Sequence, residues 1–285
     1  MTQARPIIFG EVLFDCFPDG QSVMGGAPFN VAWHLQGLGC EPLLISSVGK
    51  DEHGHQVQSS MRERGLDTAG LQVNAQFPTG QVVVSLQAGQ PSYEIVPDQA
   101  YDYIDQQAAL NLAQSQSPAM IYHGSLALRN EASRSALDAV LEKTGAPVFL
   151  DINLREPWWD LPLLDELLQR ATWVKLNDEE LCVVSRQALS SGSELHTYAK
   201  ALFEASQLER LIVTRGEHGA FVISKDGIVE GQPVAVKNLV DTVGAGDAFS
   251  AVTIAGILQN KPIQESLDNA LAFASQVCEQ QGATG

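Results

Sequence analysis

The sequence is short of basic residues, of paired cysteines and of long apolar runs, and each shortage excludes something. Lys and Arg total 17 against 34 Asp and Glu, a formal charge of −17. That balance argues against nucleic acid or an anionic membrane as a partner. It also means that a bound nucleotide must be neutralised locally, by backbone dipoles, a few cations and Mg²⁺. The four cysteines, at 16, 40, 182 and 278, include no C-x-x-C pair. A zinc knuckle and a thioredoxin-type motif are therefore excluded, and the spacings read as reduced thiols of a cytoplasmic protein. No window approaches the ~18 apolar residues of a membrane span. The N-terminal apolar stretch is broken by Glu11 and Asp15 and does not read as a signal peptide. Common nucleotide motifs are missing too. Gly49-Lys50 runs into Asp51, so it is no P-loop, and no strand is followed by G-x-G-x-x-G, which disfavours an NAD-dependent oxidoreductase. His53 and His55 lie outside any H-E-x-x-H pattern, so no zinc site is indicated.

At 285 residues, 45% hydrophobic and 18% charged, the chain is long enough for one large α/β domain or two small ones. Repeats, low-complexity tracts and linker-like segments are lacking. Short apolar runs alternate with helical patterns. Strands are expected at Ile7–Asp15, Pro42–Val48, Met120–His123, Val148–Asn153, Thr172–Asn177 and Arg210–Thr214, and helices at Pro28–Leu38, His53–Arg64, Glu131–Lys143, Leu163–Arg170 and Ser193–Ser206. This alternation predicts a mostly parallel sheet covered by helices on both faces. Leu71–Asn74, Gln81–Gln87 and Tyr93–Val96 interrupt it. They are separated by the turn signals Pro78-Thr79-Gly80 and Ala88-Gly89-Gln90-Pro91. They read as an antiparallel β excursion, either a lid over a ligand or an edge extension of the sheet. Two hairpin-like runs follow at Ala220–Ser224 and Ile228–Val234.

The most informative stretch is Asp241-Thr242-Val243-Gly244-Ala245-Gly246-Asp247-Ala248-Phe249. Small residues at a turn, then an acid, then a long apolar helical pattern beginning near Ala248, present bare N–H groups to an anion at a helix N-terminus. Asp247 at that rim can take a proton from a hydroxyl aimed at the anion. It is a weak base, which suffices where the hydroxyl gives up its proton late, as in phosphoryl transfer. Taken alone, the acid equally reads as a cap on its own helix.

These nine residues resemble the C-terminal signature of the ribokinase/PfkB sugar kinases. Met24-Gly25-Gly26-Ala27-Pro28-Phe29-Asn30-Val31-Ala32, followed by Leu38-Gly39, resembles the family's N-terminal glycine signature, and Val48-Gly49-Lys50-Asp51-Glu52-His53-Gly54 is similar to its next segment. The resemblance implies one ribokinase-like α/β domain over residues 1–285. Its fold would be a three-layer sandwich with a mostly parallel central sheet and a small β-sheet lid built from about 12–24 and 68–104. It implies a carbohydrate kinase that uses ATP and Mg²⁺, with K⁺ as a further cation, and a homodimer formed through the lid.

The resemblance also distributes roles. Asp247 would be the base, and Gly244, Ala245 and Gly246 the anion-holding turn. Asp15, Gly25, Gly26 and Asn30 would contact the sugar, with Arg155 of Asp151-Ile152-Asn153-Leu154-Arg155 near the substrate. Asn177 and Glu180, in Asn177-Asp178-Glu179-Glu180, match an N-x-x-E motif that holds Mg²⁺ through water. Thr214, Arg215 and Gly216 would approach the nucleotide, as would Asn177, while Asp241 and Thr242 would lie near a monovalent cation. Each has a plainer reading on its residues alone. Asn30 reads as a helix-start residue, Asp15 as a strand-end turn residue, Arg155 as a surface residue, and the acids after Asn177 as helix-dipole compensation.

Gly25-Gly26-Ala27-Pro28-Phe29-Asn30 is more similar to fructokinases than to ribokinases, as are Pro78-Thr79-Gly80 and Pro97-Asp98-Gln99-Ala100-Tyr101-Asp102. D-fructose is therefore the expected substrate, phosphorylated at a primary hydroxyl. The rivals within the family are 2-keto-3-deoxygluconate, ribose and nucleoside kinases. The rival outside it is a non-catalytic sugar- or nucleotide-binding relative, which would have no need of Asp247. The chain stops at Gln281-Gly282-Ala283-Thr284-Gly285, where similar kinases usually continue for several residues.

Overall fold

A computed structural model describes residues 5–87, 90–188 and 193–284. The chain forms two compact units. The first takes in residues up to 119 together with 127–145, and the second residues 120–126 and 146–283.

In the first unit, β1 (Pro6–Phe9), β4 (Leu43–Gly49) and β5 (Leu71–Asn74) run parallel in the order β1-β4-β5. Every residue of β4 is buried, as expected of a parallel strand covered on both faces. Around them lie α1 (Ala27–Gly37), α2 (Glu52–Arg64), α3 (Gln106–Gln116) and α4 (Glu131–Thr144). The same unit carries a small sheet of β2 (Leu13–Cys16), β3 (Ser22–Gly25), β6 (Gly80–Gln87) and β7 (Gln90–Ile95), in the order β3-β2-β6-β7.

Three expectations need correction here. The apolar run Ile7–Asp15 is not one strand. Gly10 takes φ +146° with Pro28 packed against it, which splits the run into β1 and β2 in different sheets. Leu71–Asn74 is not part of the β excursion, since it pairs in parallel with Ser46–Gly49 of β4. The small sheet is not wholly antiparallel, because β2 and β6 pair in parallel while β2–β3 and β6–β7 are antiparallel. Of the turn signal Ala88–Pro91, Ala88 and Gly89 lie outside the described residues.

In the second unit the strand order is β13-β12-β11-β10-β9-β8. The strands β8 (Met120–His123), β9 (Val148–Asp151), β10 (Trp173–Asn177) and β11 (Arg210–Thr214) are parallel. The last two, β12 (Ala220–Ser224) and β13 (Gly227–Gly231), turn back as an antiparallel hairpin. The helices are α5 (Leu161–Arg170), α6 (Asp178–Val184), α7 (Ser193–Ala205), α8 (Ala245–Leu258) and α9 (Ile263–Val277). Helix α8 is buried through Ala248, Phe249, Ser250, Ala251, Thr253, Ile254 and Ala255, so it has no polar stripe facing water. A side chain at Gly256 would collide with Ser266 of α9, so this glycine permits the close approach of the two helices. Among the described residues, no helix is long and apolar enough to cross a membrane.

The segment Val48–Gly54 proves to be a structural latch. Asp51 caps α2 by accepting the Gly54 N–H on Oδ1 (2.8 Å). The same carboxylate accepts the Thr79 hydroxyl (2.6 Å) and the Thr79 N–H (2.8 Å), while Thr79 Oγ1 accepts the Gly49 N–H (2.9 Å). The start of α2 is thereby tied to the base of β6. Burial on its own raises the Asp51 carboxyl, but the hydrogen bonds from Thr79 and Gly54 outweigh it and hold the pKa below its ordinary value. A depressed folded-state pKa contributes stability above the unfolded value of about 3.9, and that stability is lost as pH falls through the folded value. Wild type is therefore expected to exceed Asp51→Asn in urea midpoint at neutral pH, with the gap closing as pH falls below about 4. A gap unchanged from neutral pH to pH ~3 would show that the carboxylate charge is not what holds the latch.

Candidate active site

The sugar-side candidates Asp15, Gly25, Gly26 and Asn30 belong to the first unit. Asp15 lies within β2, opposite Val23 and Val82, rather than at the end of a strand of the large sheet. It is half-buried. Gly26 precedes α1 with φ +108°, and a Cβ there would sit 2.8 Å from the Glu11 carbonyl oxygen. Glycine at 26 is thus imposed by the backbone itself. Gly25 has open space where its Cβ would be, so packing does not require glycine there. Asn30 is buried in the second turn of α1, and its N–H donates to Gly26 O (2.8 Å). Asp102, from the segment similar to fructokinases, holds Arg129 through two 2.7 Å bonds and accepts the Gln99 N–H. This buried pair braces the frame of the unit, and a bidentate geometry suits it to that task.

The anion, metal and nucleotide candidates belong to the second unit, as does Arg155. Helix α8 begins at Ala245, earlier than expected, with Gly244 at φ +81° as its N-cap. Asp247 is therefore the third residue of the first turn. It does not occupy the capping position, although an acid in the first turn still compensates the helix dipole. Gly244 is glycine for two local reasons: its left-handed backbone, and Ala283, into which a Cβ would collide. Gly246 is glycine for another. A Cβ there would lie 3.3 Å from Lys175 Nζ.

Lys175 is the main residue that sequence reasoning missed. It projects from β10 opposite Asp151 of β9, and is only 8% exposed. Its ammonium donates to both oxygens of Asp151, at 3.0 and 3.2 Å. Ser250, one turn into α8, donates to Asp151 Oδ2 at 2.7 Å, and the Tyr122 hydroxyl lies 3.4 Å from the same oxygen. Burial alone would lower the pKa of Lys175, but the surrounding carboxylates of Asp151, Glu180 and Asp247 outweigh it and raise it above the ordinary lysine value. The available signal was a charged residue inside the buried strand Trp173-Val174-Lys175-Leu176-Asn177. Its partners, 24 and 75 positions away, carry no local signature.

Asn177 and Glu180 form a capping box at the start of α6. Asn177 Oδ1 accepts the Glu180 N–H (2.7 Å) and Glu180 Oε2 accepts the Asn177 N–H (2.8 Å). Glu180 Oε1 accepts the Leu154 N–H (2.8 Å) as well. Burial pushes the Glu180 carboxyl up, against the opposing pull of Lys175 and these N–H groups. With these oxygens committed to backbone donors, the pair fits a hydrated cation better than a directly bound one. Among the described residues no group of three His, Cys, Asp or Glu is arranged to hold a metal. A divalent ion would need further oxygens from water and a phosphate, which is the usual setting for Mg²⁺.

Arg215 is committed locally, 2.8 Å from Glu230 and stacked 5.2 Å over the Phe221 ring. Its charge is already matched, which weakens it as a counter-charge for a nucleotide. Thr214 Oγ1 donates to Leu176 O at 3.4 Å, and Gly216 has open space around its Cα. Asp241 accepts the N–H groups of Val243 (3.0 Å) and Gly282 (3.3 Å), binding the segment before α8 to the C-terminal residues. Thr242 is exposed, and its carbonyl accepts the Ala245 N–H (3.3 Å). Arg155 is exposed and bonds the Leu154 carbonyl, so it is available to a ligand.

Comparison with known proteins adds to this geometry. A profile for the pfkB family carbohydrate kinases matches residues 16–285. The fructokinase of Salmonella typhimurium is 30% identical over 272 residues, covering 90% of this chain and 85% of that protein. An uncharacterized sugar kinase of Pyrococcus horikoshii, solved in complex with ATP, is similar over 98% of this chain and 94% of its own, with a TM-score of 0.83 and 26% identity. A double-mutant fructokinase of Vibrio cholerae O395, solved with fructose, ADP and potassium ion, covers 99% of this chain and 94% of its own with a TM-score of 0.80. At 24% identity that likeness speaks for the fold alone. The shared fold is α/β, with a large, mostly parallel sheet and a small second sheet.

Proposed function

Because the chain belongs to the pfkB family of carbohydrate kinases, we propose that it transfers the γ-phosphoryl group of ATP to a primary hydroxyl of a ketohexose, D-fructose. It is a sugar kinase, a phosphotransferase; the choice of fructose rests on the Gly25–Asn30 segment and on the fructokinase relative. The observation that carries the mechanism is the start of α8. There Asp247 stands in a first turn whose N–H groups have no intrahelical acceptor, close enough to Lys175 to feel its charge.

In this reading Asp247 accepts the proton of the attacking hydroxyl late in the reaction. The amides of Gly244 and Gly246 donate to the oxygens of the moving phosphoryl group, where charge is greatest in the transition state, while the Ala245 N–H is held by the Thr242 carbonyl. Asp15, Gly25 and Asn30 are the first unit's sugar contacts; in the second unit Arg155 is free to meet a substrate oxygen, and Thr214 and Gly216 adjoin the nucleotide. One Lys175 faces three carboxylates, Asp151, Glu180 and Asp247. A polyphosphate added to that surplus of negative charge calls for a cation. Asn177 and Glu180 would hold Mg²⁺ through water and that ion would supply the charge, while Asp241 and Thr242 would offer oxygens to K⁺. The protein acts in the cytoplasm, in keeping with its free thiols.

The small sheet leaves Val23 and Tyr93 exposed on one face, at 39% and 60%, and Val83 on the other, at 40%. It serves as the surface of a homodimer; sedimentation velocity is expected to give twice the chain mass, and a species of 30.7 kDa would contradict this. In a coupled ADP-release assay over a panel of sugars, fructose is expected to give the highest kcat/KM. Asp247→Asn is expected to lower kcat by about 10²–10⁴-fold while leaving sugar affinity largely unchanged. Turnover of another sugar with none of fructose would overturn the substrate. Undiminished turnover by Asp247→Asn would overturn the base.

A further inference from the structure

We propose that Lys175 is a positioning residue for the transferred phosphate, a fixed positive charge that Asp151 and Ser250 lock beneath the first turn of α8. The proposal rests on the kinase reading above and extends it to a residue with no place in the motif roles.

Four observations converge. Lys175 Nζ lies where a Cβ at Gly246 would crowd it, at 3.3 Å, so the ammonium is next to the last residue of the anion-holding turn. Both Asp151 oxygens fix it, at 3.0 and 3.2 Å, and Ser250 ties the same carboxylate to α8 at 2.7 Å. Ser250 Oγ also lies 3.1 Å from the Gly246 carbonyl, so strand, lysine and helix turn form one connected unit. Asp247, the candidate base, follows Gly246 directly in the chain, and the lysine feels its charge.

A cation placed at the positive end of a helix is unfavourable by itself. Burying it there costs more, because an ammonium loses its hydration. Asp151 compensates the charge, but a buried ion pair offers little stability over apolar residues of the same shape. A phosphate over the turn would draw on both positive ends at once. The lysine need not touch the phosphate to act. By holding the Gly246 turn rigid and lending it charge, it pre-organises the donors that the transition state uses.

The γ-phosphate is the group this charge serves, which makes the proposal testable by binding as well as by turnover. Lys175→Met alone would strand the Asp151 carboxylate and can unfold the protein. The paired variant Lys175→Met/Asp151→Asn removes both charges and keeps the Ser250 acceptor. With Mg²⁺ present, calorimetry on the paired variant is expected to show the non-hydrolysable imido analogue of ATP bound about tenfold more weakly than by wild type, the size of one lost charge-assisted contact to the nearer of the two removed charges. ADP affinity is expected to remain at the wild-type value. Equal weakening of both ligands, or no weakening of either, would overturn the proposal, since a purely structural lysine cannot distinguish them. Failure of the kinase reading would look different: wild type would phosphorylate no sugar, whatever the two affinities did.

Discussion

The carboxylate of Asp151 is the interaction on which the second unit depends. A fully buried carboxylate is costly unless its charge is matched and its lone pairs are satisfied. Lys175 matches the charge, and Ser250 and Tyr122 occupy the remaining acceptor positions. Because its partners come from β8, β10 and α8, meeting the needs of one side chain sets the strand ends and the helix start in register. The first turn of α8 then has little freedom. Catalysis by backbone donors needs that rigidity, since a donor that must reorganise during the reaction loses most of its advantage.

Many of the polar residues in the recognisable segments turn out to support the frame. Asp51 and Thr79 latch α2 to β6, Asp102 holds Arg129, Asn177 and Glu180 cap α6, and Arg215 is paired with Glu230. These roles do not compete with function. The Asn177–Glu180 box explains how two oxygen-bearing side chains can be fixed in place and still act on a cation through water. Gly26 and Gly244 show the same duality. Each is required by a left-handed backbone and a neighbouring atom, and each also brings main chain to the surface of a candidate site.

Much of this was legible in the sequence. Strands at Met120–His123, Arg210–Thr214 and Ala220–Ser224 fall at the bounds that periodicity gives, because short β-branched runs between turn residues have few alternatives. The helix start after Gly244 was legible as well, although its first residue was placed three positions late. Pattern could not reveal what tertiary packing decides. Ile7–Asp15 is apolar apart from Gly10, Glu11 and its final acid, and Pro28 packed against Gly10 breaks it in two. Alternation assigns the faces of Leu71–Asn74 and Gln81–Gln87 but not their partners, so β5 joins β4 and β6 lies parallel to β2. The Asp151–Lys175–Ser250 cluster was the least legible feature, because its members lie up to 99 residues apart and only Asp151 falls in a segment that stands out in the sequence, where attention goes to Arg155.

The central claim is that one buried carboxylate couples the strand ends to the start of α8. A double-mutant cycle in urea with Asp151→Asn and Ser250→Ala tests it most directly. A coupling free energy of at least about 1 kcal/mol is predicted, as expected for contacting members of one buried network. Effects that add to within about 0.3–0.5 kcal/mol would show the two sites to be independent, and would contradict the account.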